Sequence, residues 1–478
     1  MKTRLFIPRL IPLFILASCA LPWAVAGQTA TGPTIAGKPF SGIWQGTLSP
    51  PQGEGLRLLF HIKSNLDGTY FATLDSPDQG TTGIPARVIS TDMKAIRINV
   101  AAIGAEFTGS LQADGSIDGN WTQRGISLPL VFKRVEKAVD VVRPQMPKPP
   151  FPYRVEEVTY ASKPEVTLSA TLTVPQGQGP FPVALLIPGS GALDRDQTLF
   201  GHKPFLVLAD YLTRRGIAVL RPDKRGVGRS SGCFIYATDV DFVDDTQAAV
   251  SFLKKRKEVN PKFIGMIVGQ GEGGIVAAQA AVASPDVAFV VLLASPELPG
   301  EQMVLAQQTA LLKSRGATED VIKARRAQQE NMLAVVIGEK DAAVAEKKVR
   351  EMIRDMNPPG TAESVLDNQV KRLLAPSYRE FLVYDPRPTL MKIKCPVLAI
   401  MGEKDRQIPP HENLAAIQSA MKEGGNNSFT QSLMPGLNHM LQPSQTGSPT
   451  EYAKIEITLD PAALQVVGDW IALQVKGR

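Results

Sequence analysis

Cysteine and histidine are scarce in this chain: three cysteines and four histidines stand among 478 residues. Two of the cysteines, Cys233 and Cys395, have no C-x-x-C spacing and no histidine neighbour, which argues against a redox pair or a zinc site. They read as small buried residues that can form at most one disulfide between them. Also missing are blocks of like charge and any base-reading motif. The net charge of +6 includes Lys2, Arg4 and Arg9, so it falls to +3 without those three residues. A charge that small speaks against a nucleic-acid binder. Nothing in the composition suggests disorder or collagen, and a chain this long is expected to hold two or three globular units.

The N-terminal residues 1–26 read as a signal peptide. Lys2, Arg4 and Arg9 precede the apolar stretch Leu10–Leu21, which is too short for a stop-transfer helix. Two processing sites are present. Ala24-Val25-Ala26 would release a soluble protein, whereas Leu16-Ala17-Ser18-Cys19 has the form of a bacterial lipobox and would leave Cys19 lipidated. The expectation is an exported protein, periplasmic or secreted, that meets a membrane only if lipidated at Cys19.

Residues 38–136 alternate apolar and polar positions in short runs: Gly42–Leu48, Leu56–Lys63, Gly68–Asp75, Lys94–Val100, Phe107–Gln112, Ile117–Gln123 and Leu128–Lys133. Turn signals at Asn65-Leu66-Asp67-Gly68 and Ala113-Asp114-Gly115 make this a small antiparallel barrel or sandwich. Trp44 and Trp121 fit its core, with a ligand-cradling role as the alternative. Pro144, Pro147, Pro149, Pro150 and Pro152 then mark residues 137–153 as an extended linker.

From residue 154 to 478, apolar strand runs alternate with helical periodicity, beginning with Pro182–Ile187, the helix Phe205–Arg215 and the strand Ile217–Arg221. This pattern predicts an α/β domain with a mostly parallel sheet and helices on both faces. Charged helical sequence at about 298–390 interrupts the pattern before the strand Pro396–Met401, and is expected to cap the C-terminal ends of the strands. A helix at His411–Met421, a strand at Phe429–Met434 and a helix at Pro461–Lys476 close the chain.

Three signals fall after strands in one order. Gly269-Gln270-Gly271-Glu272-Gly273-Gly274 follows Phe263–Val268 and opens a helix. It has the form of a nucleophile elbow, G-x-S-x-G, with Gly269 and Gly273 as its small flanking residues and Gly271 at the serine position. Asp405, in Gly402-Glu403-Lys404-Asp405, stands where a triad carboxylate belongs, and His439, after Leu437-Asn438, stands where a general base belongs. Of the other histidines, His61 lies in the β domain, and His202 and His411 lack that placement. Pro188-Gly189-Ser190-Gly191, after Pro182–Ile187, is placed to supply oxyanion donors, or forms a plain tight turn.

Together with Gly201-His202-Lys203-Pro204-Phe205 and Arg225-Gly226-Val227-Gly228-Arg229-Ser230, these segments resemble the bacterial carboxylesterase branch of the α/β-hydrolase superfamily and its serine-aminopeptidase-like relatives. The likeness runs from about Tyr160 to the C-terminus. It implies an α/β-hydrolase fold and ester chemistry without a cofactor, with Asp405 and His439 as acid and base. It also implies that the backbone N–H groups of Ser190, Gly191 and Glu272 act as oxyanion donors.

The nucleophile does not carry over, and four readings follow. The chain is a pseudoenzyme that binds an ester, acid or acylated glycan; or His439 activates water in the space at Gly271; or Ser190, Ser231 or Cys233 substitutes. The fourth is a nucleotide-binding loop, since Gly269-x-Gly271-x-x-Gly274 also fits a dinucleotide fingerprint.

Overall fold

The computed structural model describes residues 39–49, 55–65, 69–79, 81–92, 94–123, 126–136, 143–234, 236–268, 271–314, 316–357 and 363–476. Residues 1–38 with Cys19, most of the Asn65–Gly68 turn, Gly269 and Gln270 lie outside them.

The first domain is a closed antiparallel barrel rather than a sandwich. Its strands are β1 (Gly42–Leu48), β2 (Leu56–Ser64), β3 (Tyr70–Ser76), β4 (Thr81–Thr91), β5 (Ala95–Val100), β6 (Ala105–Leu111), β7 (Ile117–Gln123) and β8 (Ile126–Val135). Each pairs with the next, and β1 closes on β8 with Ile43 opposite Val135. β4 escapes the alternation pattern because Gly83 and Pro85 sit inside it and read as a turn. Between β6 and β7 the turn forms at Asp114, whose carboxylate accepts from Ser116 N at 2.9 Å. Closure leaves no strand edge exposed, and the interior is filled by side chains. Phe60, Phe107 and Phe132 pack with ring centres 4.9–6.2 Å apart. Trp44 and Trp121 are buried beside them, and Trp44 Nε1 donates to the Phe40 carbonyl at 2.7 Å, so both tryptophans are core residues.

The second domain is an eight-stranded sheet of β9 (Tyr153–Lys163), β10 (Val166–Pro175), β11 (Phe181–Ile187), β12 (Ala218–Pro222), β13 (Val259–Val268), β14 (Val287–Leu293), β15 (Val397–Gly402) and β16 (Phe429–Met434). The spatial order is β9-β10-β12-β11-β13-β14-β15-β16. Six strands are parallel, and β9 and β10 form an antiparallel hairpin at one edge. That hairpin precedes the strand at which periodicity began. Its first strand carries Arg154, Glu156 and Glu157 on a half-exposed edge and so reads as a continuation of the linker.

The inner strands are apolar throughout, as in FPVALLI of β11, because helices cover both faces. On one face lie α2 (Asp239–Lys254), α3 (Glu272–Ala283) and α10 (Pro410–Glu423); on the other lie α1 (Pro204–Arg214) and α11 (Pro461–Lys476). The cap joins β14 to β15 through α4 (Gly300–Ser314), α5 (Glu319–Gly338), α6 (Ala342–Met356), α7 (Glu363–Leu373), α8 (Pro376–Val383) and α9 (Arg387–Leu390). It has its own core, including Leu305, Leu333, Val336, Val349 and Leu382. From Arg143 onward the linker is docked on the second domain. Arg143 donates to the Ala453 carbonyl at 2.8 Å, and Gln145 Oε1 accepts from Thr458 N at 2.7 Å.

The Arg225–Ser230 segment joins β12 to the hairpin and to α2. Buried Arg225 makes a forked pair with Asp245 at 2.7 and 2.8 Å and reaches Asp241 at 2.8 Å. Ser230 Oγ accepts from Ser169 N at 2.9 Å and donates to the Asp223 carbonyl at 2.8 Å. Breaking such a buried ion pair strands its partner in a poor solvent. Arg225→Met is therefore expected to destabilise the second domain by about 3 kcal/mol, with Asp245→Leu in the same chain recovering part of the loss. Urea unfolding of the two variants checks this; equal losses in the single and the double variant would deny the pairing.

Candidate active site

The site is assembled at the C-terminal ends of β13, β15 and β16. Gly271 caps the N-terminus of α3 with φ 78° and ψ −133°. Side-chain-bearing residues adopt that region only under strain, whereas glycine enters it freely. A strand-to-helix turn of this shape points the central position away from both elements and leaves the first N–H groups of the helix without intrahelical acceptors.

At Gly271 a Cβ would collide with Ser190 Oγ and would lie 3.5 Å from Ser190 N. The Ser190 loop and the elbow are therefore in contact, with the Ser190 hydroxyl filling space that an elbow side chain would take. Two groups that sequence reading missed hold this loop. Gly189 N donates to Gln197 Oε1 at 3.0 Å, and buried Lys224 donates from Nζ to the Gly189 carbonyl at 2.6 Å. Lys224 lies 35 residues from Gly189 and Gln197 eight, and neither belongs to a motif. Gly191, with φ 94°, completes the turn.

Asp405 and His439 meet at 2.7 Å, Oδ2 to Nδ1. The Asp405 side chain is fully buried and its other oxygen accepts from Gln407 N and Ile408 N, each at 2.8 Å. Donation from Nδ1 to the carboxylate leaves Nε2 of a neutral His439 as a proton acceptor. The two loops converge because the histidine loop crosses directly over Gly402, where any Cβ would strike the Leu437 and Asn438 carbonyls. Lys404 N donates to the Leu437 carbonyl at 2.8 Å and fixes the crossing. Asn438 shapes the turn itself, its Oδ1 accepting from Met440 N at 2.9 Å and Gln442 N at 3.0 Å.

The remaining candidates sit elsewhere. His202 is fully buried, with Nε2 donating to the Tyr452 carbonyl at 2.9 Å and Nδ1 within 2.9 Å of the Thr458 hydroxyl; burial pushes its pKa down to about 4, so it is a neutral structural residue. His61 pairs with Asp75 on the barrel at 2.7 Å, and His411 is exposed at the start of α10. Ser231 Oγ accepts from Thr167 N at 2.8 Å, on β10, which lies three strands from β13 in the sheet. Cys233 is exposed and Cys395 half-buried, so neither is the fully buried residue expected. The glycine-rich loop follows the third parallel strand in chain order, at the centre of the sheet, which is not where a dinucleotide fingerprint normally falls. Beside the Asp405 loop, a cavity of about 440 Å³ opens between α4 and the start of α10, lined by residues such as Lys313, Arg406 and His411.

Behind the elbow helix lies a further group that no motif marked. Glu297 is fully buried, accepts from Ser295 Oγ at 2.8 Å through Oε1, and has no partner at Oε2. A Cβ at Gly274 would fall 2.8 Å from the same Oε1, so α3 rests against this carboxyl.

Parts of the chain are similar to known proteins. The serine aminopeptidase S33 family matches residues 203–371. Esterase EstD of Thermotoga maritima is 26% identical over 306 residues, covering 64% of this chain and 65% of the esterase. YfhR of Escherichia coli K12, an uncharacterized protein, is 29% identical over 127 residues, 26% of this chain and 41% of its own. Among solved structures, a hypothetical protein of Pseudomonas aeruginosa is similar with a TM-score of 0.44 and 17% identity, covering 71% of this chain and all of that one. The Pyrococcus furiosus esterase Pf2001 is similar with a TM-score of 0.40 and 16% identity over 67% of this chain and 93% of its own. The strand order and the sequence matches give this chain an α/β-hydrolase fold with likeness to that superfamily.

Burial pushes the Glu297 carboxyl up to about 7 from an ordinary 4.5. Between those values the folded protein keeps a proton that the unfolded chain releases, so this group's contribution to stability falls as pH rises through that window. Glu297→Gln removes the penalty and is expected to gain stability relative to the parent from pH 4.5 to 7. Urea midpoints across that range check it, and a flat difference would count against a buried ionisable carboxyl.

Proposed function

We propose that this is an exported α/β-hydrolase of the carboxylic ester type that binds a small ester, acid or acylated glycan and has no nucleophile on its elbow. The observation that carries the reading is the contrast at Gly271: the turn keeps its φ of 78° without a side chain, while Asp405 and His439 remain paired at 2.7 Å. The match to an esterase, over 65% of that protein's length, supports the ester class. Export rests on the N-terminal sequence alone. In this reading Asp405 orients His439 and stabilises its charged form, and the N–H groups of Ser190, Gly191 and Glu272 face the carbonyl oxygen of a bound acyl group. Loss of the serine from such a triad lowers kcat on the order of a millionfold, leaving binding and oxyanion contacts as what the elbow itself retains.

The reading is tested by hydrolysis of p-nitrophenyl acetate. Because a side chain at position 271 needs the space of Ser190 Oγ, the informative variant is Gly271→Ser combined with Ser190→Ala, which keeps the backbone donor. It is expected to exceed the parent by about a thousandfold or more, and His439→Ala added to it should remove the gain. A parent that already matches the double variant would refute the proposal.

A further inference from the structure

We propose that Ser190 is the acyl acceptor of this site, a nucleophile displaced from the elbow onto the facing loop. This rests on the ester-directed reading above and adds a covalent step to it. The Ser190 hydroxyl stands in the volume that a Cβ at Gly271 would enter. It therefore stands beside the position that an elbow side chain would take in this fold, the position from which the Asp–His pair draws a proton.

The loop that carries the hydroxyl is held one residue before it. The preceding residue, Gly189, is held on both sides of its peptide, by Gln197 at its N–H and by Lys224 at its carbonyl. Ser190 and Gly271 are each half-buried, so a ligand can reach them. A nucleophilic serine can also donate its own N–H to the oxyanion, as chymotrypsin-type enzymes do, and the first turn of α3 supplies further N–H groups. The competing nucleophiles are remote. Ser231 is bonded to β10, three strand spacings or roughly 14 Å from β13. Cys233 follows in the same exposed loop.

The step balances within the site. Ser190 Oγ bonds to the ester carbonyl carbon, its proton passes to His439 Nε2, and the carbonyl electron pair moves onto oxygen. The tetrahedral species collapses, the bond to the alcohol breaks, and the alcohol leaves with the proton from His439. Water deprotonated by His439 then attacks the acyl-serine, releases the acid and returns a proton to Ser190 Oγ.

A fluorophosphonate probe reports the first half of this sequence, since phosphorus bonds to the hydroxyl oxygen and fluoride leaves. The full-length protein, Ser190→Ala, His439→Ala and the Gly271→Ser/Ser190→Ala double variant are each labelled and mapped by peptide mass spectrometry. A thermal-shift series with p-nitrophenyl esters runs in parallel. The expected result is an adduct on the Ser190 peptide of the parent, absent from Ser190→Ala and at least tenfold slower in His439→Ala, with the double variant labelled at position 271. Thermal shifts without an adduct would overturn the nucleophile and leave the ester-binding reading standing. Labelling at Ser231 or Cys233 would also overturn it. A parent with neither adduct nor shift, beside a labelled double variant, would sink both. Ser190→Thr provides a check on folding: it keeps a hydroxyl, and slow labelling that survives in it but not in Ser190→Ala separates chemistry from packing.

Discussion

The crossing of the histidine loop over Gly402 is the contact on which the candidate site depends. A carboxylate taken out of water must find its hydrogen bonds within the protein, and Asp405 finds three: two backbone N–H groups beyond it and the imidazole of His439. The third is available only because β15 ends in a residue with no Cβ, which lets the carbonyls of Leu437 and Asn438 pass against the strand. Position and charge are thus set together. The same geometry that buries the acid selects the tautomer of the base.

The elbow separates two properties that usually coincide in one residue. Its backbone turn is a matter of φ and ψ, which glycine satisfies at least as well as serine; its chemistry is a matter of the side chain, which glycine lacks. Close-packed interiors seldom leave a side-chain volume empty, and here a neighbouring hydroxyl enters it. The volume is consequently polar, beside an acid–base pair, and built by two loops rather than one. Glu297, pressed against the base of α3, shows the same close approach on the other side of the helix.

Much of this was legible in the sequence because it rests on local signals. The strands Gly42–Leu48, Ile117–Gln123 and Phe429–Met434 follow from period-two alternation or short apolar runs, and α11 follows from its helical periodicity. The parallel sheet and its cap follow from the alternation of element types. What escaped was tertiary in origin. β4 hides behind Gly83 and Pro85, and β9 behind its charged edge. At the site, Gly271, Asp405 and His439 were visible from their places after strands. Lys224 and Glu297 were not, since each acts on a residue that only folding brings near, and Gln197 acts within its own loop at a spacing no motif marks. The meeting of Ser190 Oγ with Gly271 has no sequence signature at all, because it joins the ends of two adjacent strands 81 residues apart in the chain, 271 less 190.

The proline-rich segment behaves as a strap rather than a free spacer. Arg143 and Gln145 bind the backbone of residues 453–459, and Thr458 within that stretch and Tyr452 just before it hold buried His202. His202 is also in contact with Gln442, at 2.9 Å, and Gln442 bonds Asn438, the residue that shapes the turn presenting His439. On the barrel side, the 3₁₀ turn Pro77–Gln79 packs against the 3₁₀ turn Pro449–Lys454, next to the same stretch. The barrel therefore touches the second domain at the segment that supports the histidine loop. Buried polar chains of this kind resist rearrangement, since moving one member leaves several donors and acceptors unpaired. The position of the base is for that reason a property of both domains, even though all the chemistry-bearing residues belong to one.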